Sequence, residues 1–155
     1  MADKNVFISH YGKDDESVQS LKSLLSKNGY TLKNSSIDST KPNDASNEDY
    51  IKSLLRDKMR WAGSAIVLIG PETHTREWVN WEIDLAYRLG KPIIGVFIQG
   101  AKDSDVPDSF QKYGDALVGW NSDKIIDAIN GVYSGWSKVD GSPWESKLSS
   151  KREVC

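Results

Sequence analysis

Glu82 occupies a position where a helix would be expected to carry leucine. At roughly 100° per residue, the segment Trp78-Val79-Asn80-Trp81-Glu82-Ile83-Asp84-Leu85-Ala86 places Trp78, Leu85, Ala86 and Leu89 around Glu82 on one face, with Trp81 at the edge. A carboxylate among large apolar groups is costly to bury, so such a residue usually has a partner, a ligand or a reaction to serve. The plainer alternative is a glutamate at the stripe edge, paired with a lysine or reaching out to water. Two polar loops supply further candidates: Ser9-His10-Tyr11-Gly12-Lys13 and Gly70-Pro71-Glu72-Thr73-His74-Thr75. Neither carries a G-x-G-x-x-G pattern, so a dinucleotide held as a resident cofactor is not expected. His10 and His74 are the only histidines and have no metal-ligand spacing, so no metal site is expected.

Four apolar runs divide the chain: Val6-Phe7-Ile8, Ala65-Ile66-Val67-Leu68-Ile69, Pro92-Ile93-Ile94-Gly95-Val96-Phe97-Ile98 and Ala116-Leu117-Val118. Their hydrophobicity is continuous rather than alternating, the pattern of strands buried on both faces of a parallel sheet. A weaker run over residues 30–37 fits an edge strand. Helical spacing fills the gaps. Asp14 or Asp15 can cap a helix carrying Val18, Leu21, Leu24 and Leu25, which stops at Asn28-Gly29. Ser46 or Asn47 can cap a second, with Ile51, Leu54, Leu55 and Met59 facing inward. The Glu82 helix ends at Leu89-Gly90 before Lys91-Pro92, a short helix is expected near 108–113, and a last one over 122–133 carries Ile125, Ile126 and Ile129.

Strand and helix alternate five times, which predicts a flavodoxin-like α/β fold: three layers, a five-stranded parallel sheet of order 2-1-3-4-5 and helices on both faces. In that order the winding reverses between strands 1 and 3, and ligands bind outside their carboxyl ends. Both candidate loops flank that crevice. Glu82, about one and a half turns into its helix, is near enough to reach it.

Composition narrows the partners. With 20 basic and 22 acidic residues spread along 155, the net charge is -2, and no basic footprint for nucleic acid or an anionic membrane is present. The single cysteine, Cys155, excludes an internal disulfide framework and fits a reducing compartment. Met1-Ala2-Asp3-Lys4-Asn5 lacks the charged-then-apolar pattern of a signal peptide, and no apolar run approaches the ~20 residues of a membrane span, so a cytoplasmic protein is expected. The expected domain covers 1–133. Residues 134–155, rich in Ser, Gly and Lys, form a tail expected to be flexible at its end and to dock through Trp136 and Trp144.

Taken in order, Val6-Phe7-Ile8-Ser9 with its polar loop, Ile37-Asp38 ending the second strand, and Trp78-Val79 followed by Glu82-Ile83 resemble the TIR domain family over about residues 4–133. Phe7-Ile8-Ser9-His10-Tyr11 with the long Glu82 helix looks most like the bacterial TIR-like proteins of antiphage defence, the Thoeris type. The resemblance implies an NAD+ glycohydrolase or cyclase with Glu82 as its catalytic residue and NAD+ as substrate rather than cofactor. It implies a nucleotide site drawn from Ser9, His10, Tyr11, Asp38, Lys41 and Trp78. It also implies self-association through TIR surfaces, including the loop 39–47, and a downstream effector that senses a linear or cyclic ADP-ribose product.

The chain departs from the family at His10-Tyr11-Gly12, where many members carry an aromatic followed by arginines, leaving fewer charges for a pyrophosphate. Several readings compete residue by residue. Trp78 and Trp81 are more often core packing than a stacking platform, His10 equally suits a hydrogen bond within its loop, Asp38 more commonly begins a turn, and Lys41 suits a solvated surface. At the level of function the rivals are a non-catalytic TIR interaction module and a nucleoside deoxyribosyltransferase, a related design that also sets a glutamate beside a sugar. A phosphoacceptor receiver is disfavoured, because the first strand ends in Ser9-His10 rather than an acidic pair.

Overall fold

In a computed structural model that describes residues 2–10, 15–34, 48–71, 73 and 77–139, the apolar runs become strands buried along their length. Every residue of β3 (Ser64–Ile69) and of β4 (Ile93–Phe97) is buried, as continuous hydrophobicity requires of strands covered on both faces. β1 (Ala2–Ser9), β2 (Tyr30–Asn34) and β5 (Ala116–Val118) complete a parallel sheet of order β2-β1-β3-β4-β5. The least apolar strand, β2, lies at an edge. Ile37, which the sequence assigned to the same run, lies outside the described residues.

The helices α1 (Asp15–Ser26), α2 (Glu48–Trp61), α3 (Glu77–Arg88), α4 (Asp108–Tyr113) and α5 (Ser122–Ile129) fall on two sides. On one side, Val18, Leu21 and Leu25 of α1 and Ile125 and Ala128 of α5 pack against Val6, Ile8, Ile66 and Leu68. On the other, Leu55 and Met59 of α2, Val79, Ile83 and Ala86 of α3 and Phe110 of α4 pack against Phe7, Val67 and Ile69. Side chains alternate along a strand, so Ser9 points to the same side as Phe7, the side of α3. The register pairs Ser9 with Val67, at the carboxyl ends of β1 and β3 where the winding reverses.

Helix ends follow their glycines, with one departure from expectation. α3 gives way to Leu89-Gly90, with Gly90 at φ 72°. α5 stops at Ile129, short of residue 133, because Gly131 takes φ 77° and the Val132 and Tyr133 amides both turn back to the Asp127 carbonyl. Past residue 133 the chain stays on the sheet. Leu117 donates to the Gly135 carbonyl and accepts from the Ser137 amide, forming a parallel bridge beside β5. This seats Trp136 in the core, its ring centroid 5.2 Å from that of Phe110. Trp144 lies outside the described residues.

Phe110 fixes how closely α4 approaches the sheet. A Cβ added at Gly95 in β4 would lie 2.7 Å from Phe110 Cζ and 2.9 Å from Leu117 Cδ1, both on fully buried side chains. Gly95→Ala is therefore expected to lower unfolding stability by about 1–3 kcal/mol, read as a lower urea midpoint at unchanged slope. An unchanged midpoint would mean that the Phe110 ring is free to move.

Candidate active site

The stripe that α3 buries consists of Val79, Glu82, Ile83 and Ala86, with Leu85 beside it. This is rotated slightly from the face read in sequence: Trp78 and Leu89 are half-buried at its rim rather than inside it, while Trp81 is half-buried at the edge where it was expected. Glu82 is central to the buried stripe, only 5% exposed. Its Oε1 accepts a hydrogen bond of 2.6 Å from Ser9 Oγ, donated by the last residue of β1, itself 1% exposed. Strand and helix thus converge at the carboxyl ends of the sheet, where the topology places a ligand crevice.

Electrostatics follow from that burial. Removal from water pushes the Glu82 carboxyl up from 4.5 to about 8, and the Ser9 hydrogen bond pulls weakly the other way. Among the described residues no cation forms an ion pair with it. At neutral pH the resting group is mostly the neutral acid. A positive charge brought beside it would favour the carboxylate.

The supports around Glu82 are specific. At the loop where α3 begins, Thr73 Oγ1, fully buried, accepts from the Gly70 amide at 2.8 Å. α4 holds the far side of α3, with the Ser109 amide donating to Asn80 Oδ1 at 3.2 Å and Tyr87 stacked on Tyr113 at 4.0 Å. α2 holds the flank: Lys52 Nζ and Arg56 Cζ lie 5.5 and 5.8 Å from the centroid of the Trp81 ring. Trp78 meets Trp81 edge-on at 5.7 Å, and with Lys52 and Glu77 the two tryptophans line a cavity of about 180 Å³ one turn from Glu82.

The structure thus brings Ser9, Glu82 and Trp78 to one end of the sheet. His10 follows directly and is half-buried, its Nδ1 3.2 Å from the Ile8 carbonyl, a local bond that orients the ring. Tyr11, Asp38, Lys41 and the loop 39–47 lie outside the described residues. Lys52 and Arg56 were not singled out in sequence, and Thr73 was named only as part of its loop. The first two reach Trp81 from another helix, and no local pattern marks that crossing. A larger hollow of about 380 Å³ lies at the ends of β4 and β5, between Trp120 and Ser17 and Ser20 of α1, but no titratable side chain lines it. Of these two hollows, the one lined by Trp78 and Trp81 lies on the Glu82 helix. Among the described residues no cluster of His, Cys, Asp or Glu could hold a metal ion, and no helix is long and apolar enough to cross a membrane.

The sequence model of one protein family, described as Thoeris protein ThsB, TIR-like domain, matches residues 7–103, which include Ser9, Trp78 and Glu82. Among solved structures, a CMP N-glycosidase of Clostridium botulinum, BcmB, is similar with a TM-score of 0.51 at 15% identity, covering 84% of this chain and 100% of that one. The TIR domains of the activated Roq1 resistosome are similar with a TM-score of 0.47 at 14% identity, covering 97% and 96%. No curated protein matches the chain.

The raised Glu82 carboxyl also makes folding depend on pH. Between 4.5 and about 8 the folded chain holds a proton that the unfolded chain has lost, so this group's stabilisation is complete below 4.5 and disappears as pH rises through 8. At neutral pH the penalty is on the order of 3 kcal/mol. Glu82→Gln, always neutral, escapes it. Denaturant midpoints from pH 5 to 8 are expected to fall more steeply in the wild type than in Glu82→Gln; parallel curves would place the group in a wetter site.

Proposed function

The chain belongs to the family of Thoeris ThsB TIR-like domains, and on that premise we propose that it is an NAD+-cleaving enzyme whose catalytic residue is Glu82. The observation that carries this reading is a carboxyl buried at the switch point of the sheet, held by Ser9, one turn from the Trp78 cavity. The chemistry suits one carboxylate. Nicotinamide in NAD+ is a cationic pyridinium; when the C1′–N bond breaks, the electron pair leaves with the ring nitrogen, and the base departs neutral. No acid is needed to protonate it, unlike an ordinary glycosidic oxygen.

Positive charge then passes to the ribose. A carboxylate near C1′ and the ribose hydroxyls stabilises that oxocarbenium character more than the ground state. Water adding at C1′ loses its proton to Glu82 or to solvent and yields ADP-ribose; a nucleophile from the adenosine half yields a cyclic product instead. Trp78 offers an aromatic edge for the departing ring. His10, Tyr11, Asp38 and Lys41 complete the proposed nucleotide site. In this reading the protein acts in the cytoplasm, self-associates through its TIR surfaces, and signals to a separate effector during phage defence.

The test is incubation with NAD+, with and without lysate from phage-infected cells, followed by chromatography for nicotinamide. Glu82→Gln should retain the fold and lose nicotinamide release by about 100-fold or more. Equal turnover in that variant would overturn the assignment. Because the fold is shared with a CMP N-glycosidase, CMP and deoxynucleosides are run as parallel substrates; base release from them but not from NAD+ would redirect the substrate.

The pH profile has a definite sign. The ionised form of Glu82 does the work, so kcat/KM should rise with pH and level off above about 8. A profile falling over that range would mean that the neutral acid is the active form.

A further inference from the structure

Ser9 Oγ lies 2.6 Å from Glu82 Oε1, and both side chains are at least nine-tenths buried. Glu82 has two carboxyl oxygens and, among the described residues, one donor: the second oxygen, Oε2, meets none. Whether Oε2 carries the proton of the resting acid or is bare in the carboxylate, a buried polar atom without a partner is expensive unless something arrives to meet it. We propose that Ser9 is a positioning residue rather than a substrate contact: it pins Oε1 to the end of β1, so that Oε2 alone is presented to the ribose of the substrate. This rests on the proposed NAD+ cleavage for its activity readout but not for its geometry.

A glutamate side chain has three torsions, and in an apolar stripe nothing but packing would choose among them. A short hydrogen bond from a strand terminus fixes the carboxyl plane relative to the sheet, which also positions the loop that follows Ser9. A hydroxyl donated to a carboxylate favours the charged form. It thereby opposes the burial that keeps the group protonated. The ionisable neighbours on the packed elements do not take over this task. His10, directly after β1, turns its Nδ1 to the Ile8 carbonyl, Lys52 and Arg56 on α2 lie over Trp81, and Glu77 on α3 lines the cavity with Trp78. Asp84 on α3 is half-buried two residues further along, and Asp108 and Lys112 on α4 are exposed. Ser9 is the polar group in contact.

The experiment follows Glu82 directly and then through turnover. Protein labelled with 13C at glutamate Cδ is titrated by NMR, with the Glu82 signal identified by its loss in Glu82→Gln. Ser9→Ala should raise the Glu82 midpoint by about one unit, and Ser9→Thr, which keeps the hydroxyl, should bring it back. In the nicotinamide assay Ser9→Ala should lower kcat about tenfold at pH 7 with KM within about twofold, and the deficit should shrink as pH rises. Thermal melting checks the fold; if Ser9→Ala melts too early, Ser9→Cys, similar in size with a weak S–H donor, carries the same comparison.

An unmoved midpoint in a folded variant would overturn the proposal. So would a raised KM with kcat preserved, which would make Ser9 a substrate contact. If the wild type releases no nicotinamide, the reading of function fails, while the Glu82 midpoint still decides the role of Ser9.

Discussion

The packing around α3 has to hold one carboxyl out of water. Burial pushes the Glu82 carboxyl up to about 8, and a carboxyl so disfavoured in its charged form would swing outward if its helix allowed it. The helix does not allow it. Val79, Ile83 and Ala86 on the same stripe are buried almost completely against β1 and β3, and turning α3 enough to hydrate Glu82 would expose all three. Each large aliphatic exposed would cost about 1.5–3 kcal/mol, so the apolar residues outvote the acid. The two-sided core is what makes an unfavourable residue tolerable.

The same logic explains why α3 is held from every direction. Thr73 ties down the loop at its beginning, Asn80 and the Tyr87–Tyr113 stack fasten it to α4, and the cations of α2 lie across Trp81. None of these contacts involves Glu82. They fix the axis and rotation of the helix, and Ser9 then fixes the remaining torsions of one side chain. Positioning is thus divided between backbone placement, which packing supplies, and carboxyl orientation, which a single hydroxyl supplies.

What sequence could reveal follows that division. Continuous apolar runs gave strands and their order because a parallel sheet buries both faces, and Glu82 stood out because helical spacing conflicts with its polarity. The rim was harder to read. A helical wheel treats tryptophan as simply apolar, whereas Trp78 and Trp81 are large enough to pack with one end buried and the other open, so the true stripe lies nearer Val79 and Ile83. α5 ended early because Asn130-Gly131 stops a helix as firmly as Asn28-Gly29 does, and that signal was in the chain to be read. The partner of Glu82 was not. Ser9 is 73 residues away, and a serine at a strand end carries no mark of the acid it meets.

A neutral acid at rest suits the proposed reaction better than a preformed carboxylate would. An ionised Glu82 in so dry a place would be a standing instability and would attract any small cation. The neutral form avoids both, and a pyridinium substrate beside it shifts the balance toward the carboxylate, the proton passing to solvent. The interaction then strengthens as the leaving group becomes neutral and the positive charge moves to the ribose, toward the oxygen that Ser9 leaves open. Binding energy is thereby realised in the transition state rather than in the resting site. A surface carboxylate, already ionised and hydrated, would have to shed water at that moment, whereas the burial of Glu82 has removed that step in advance.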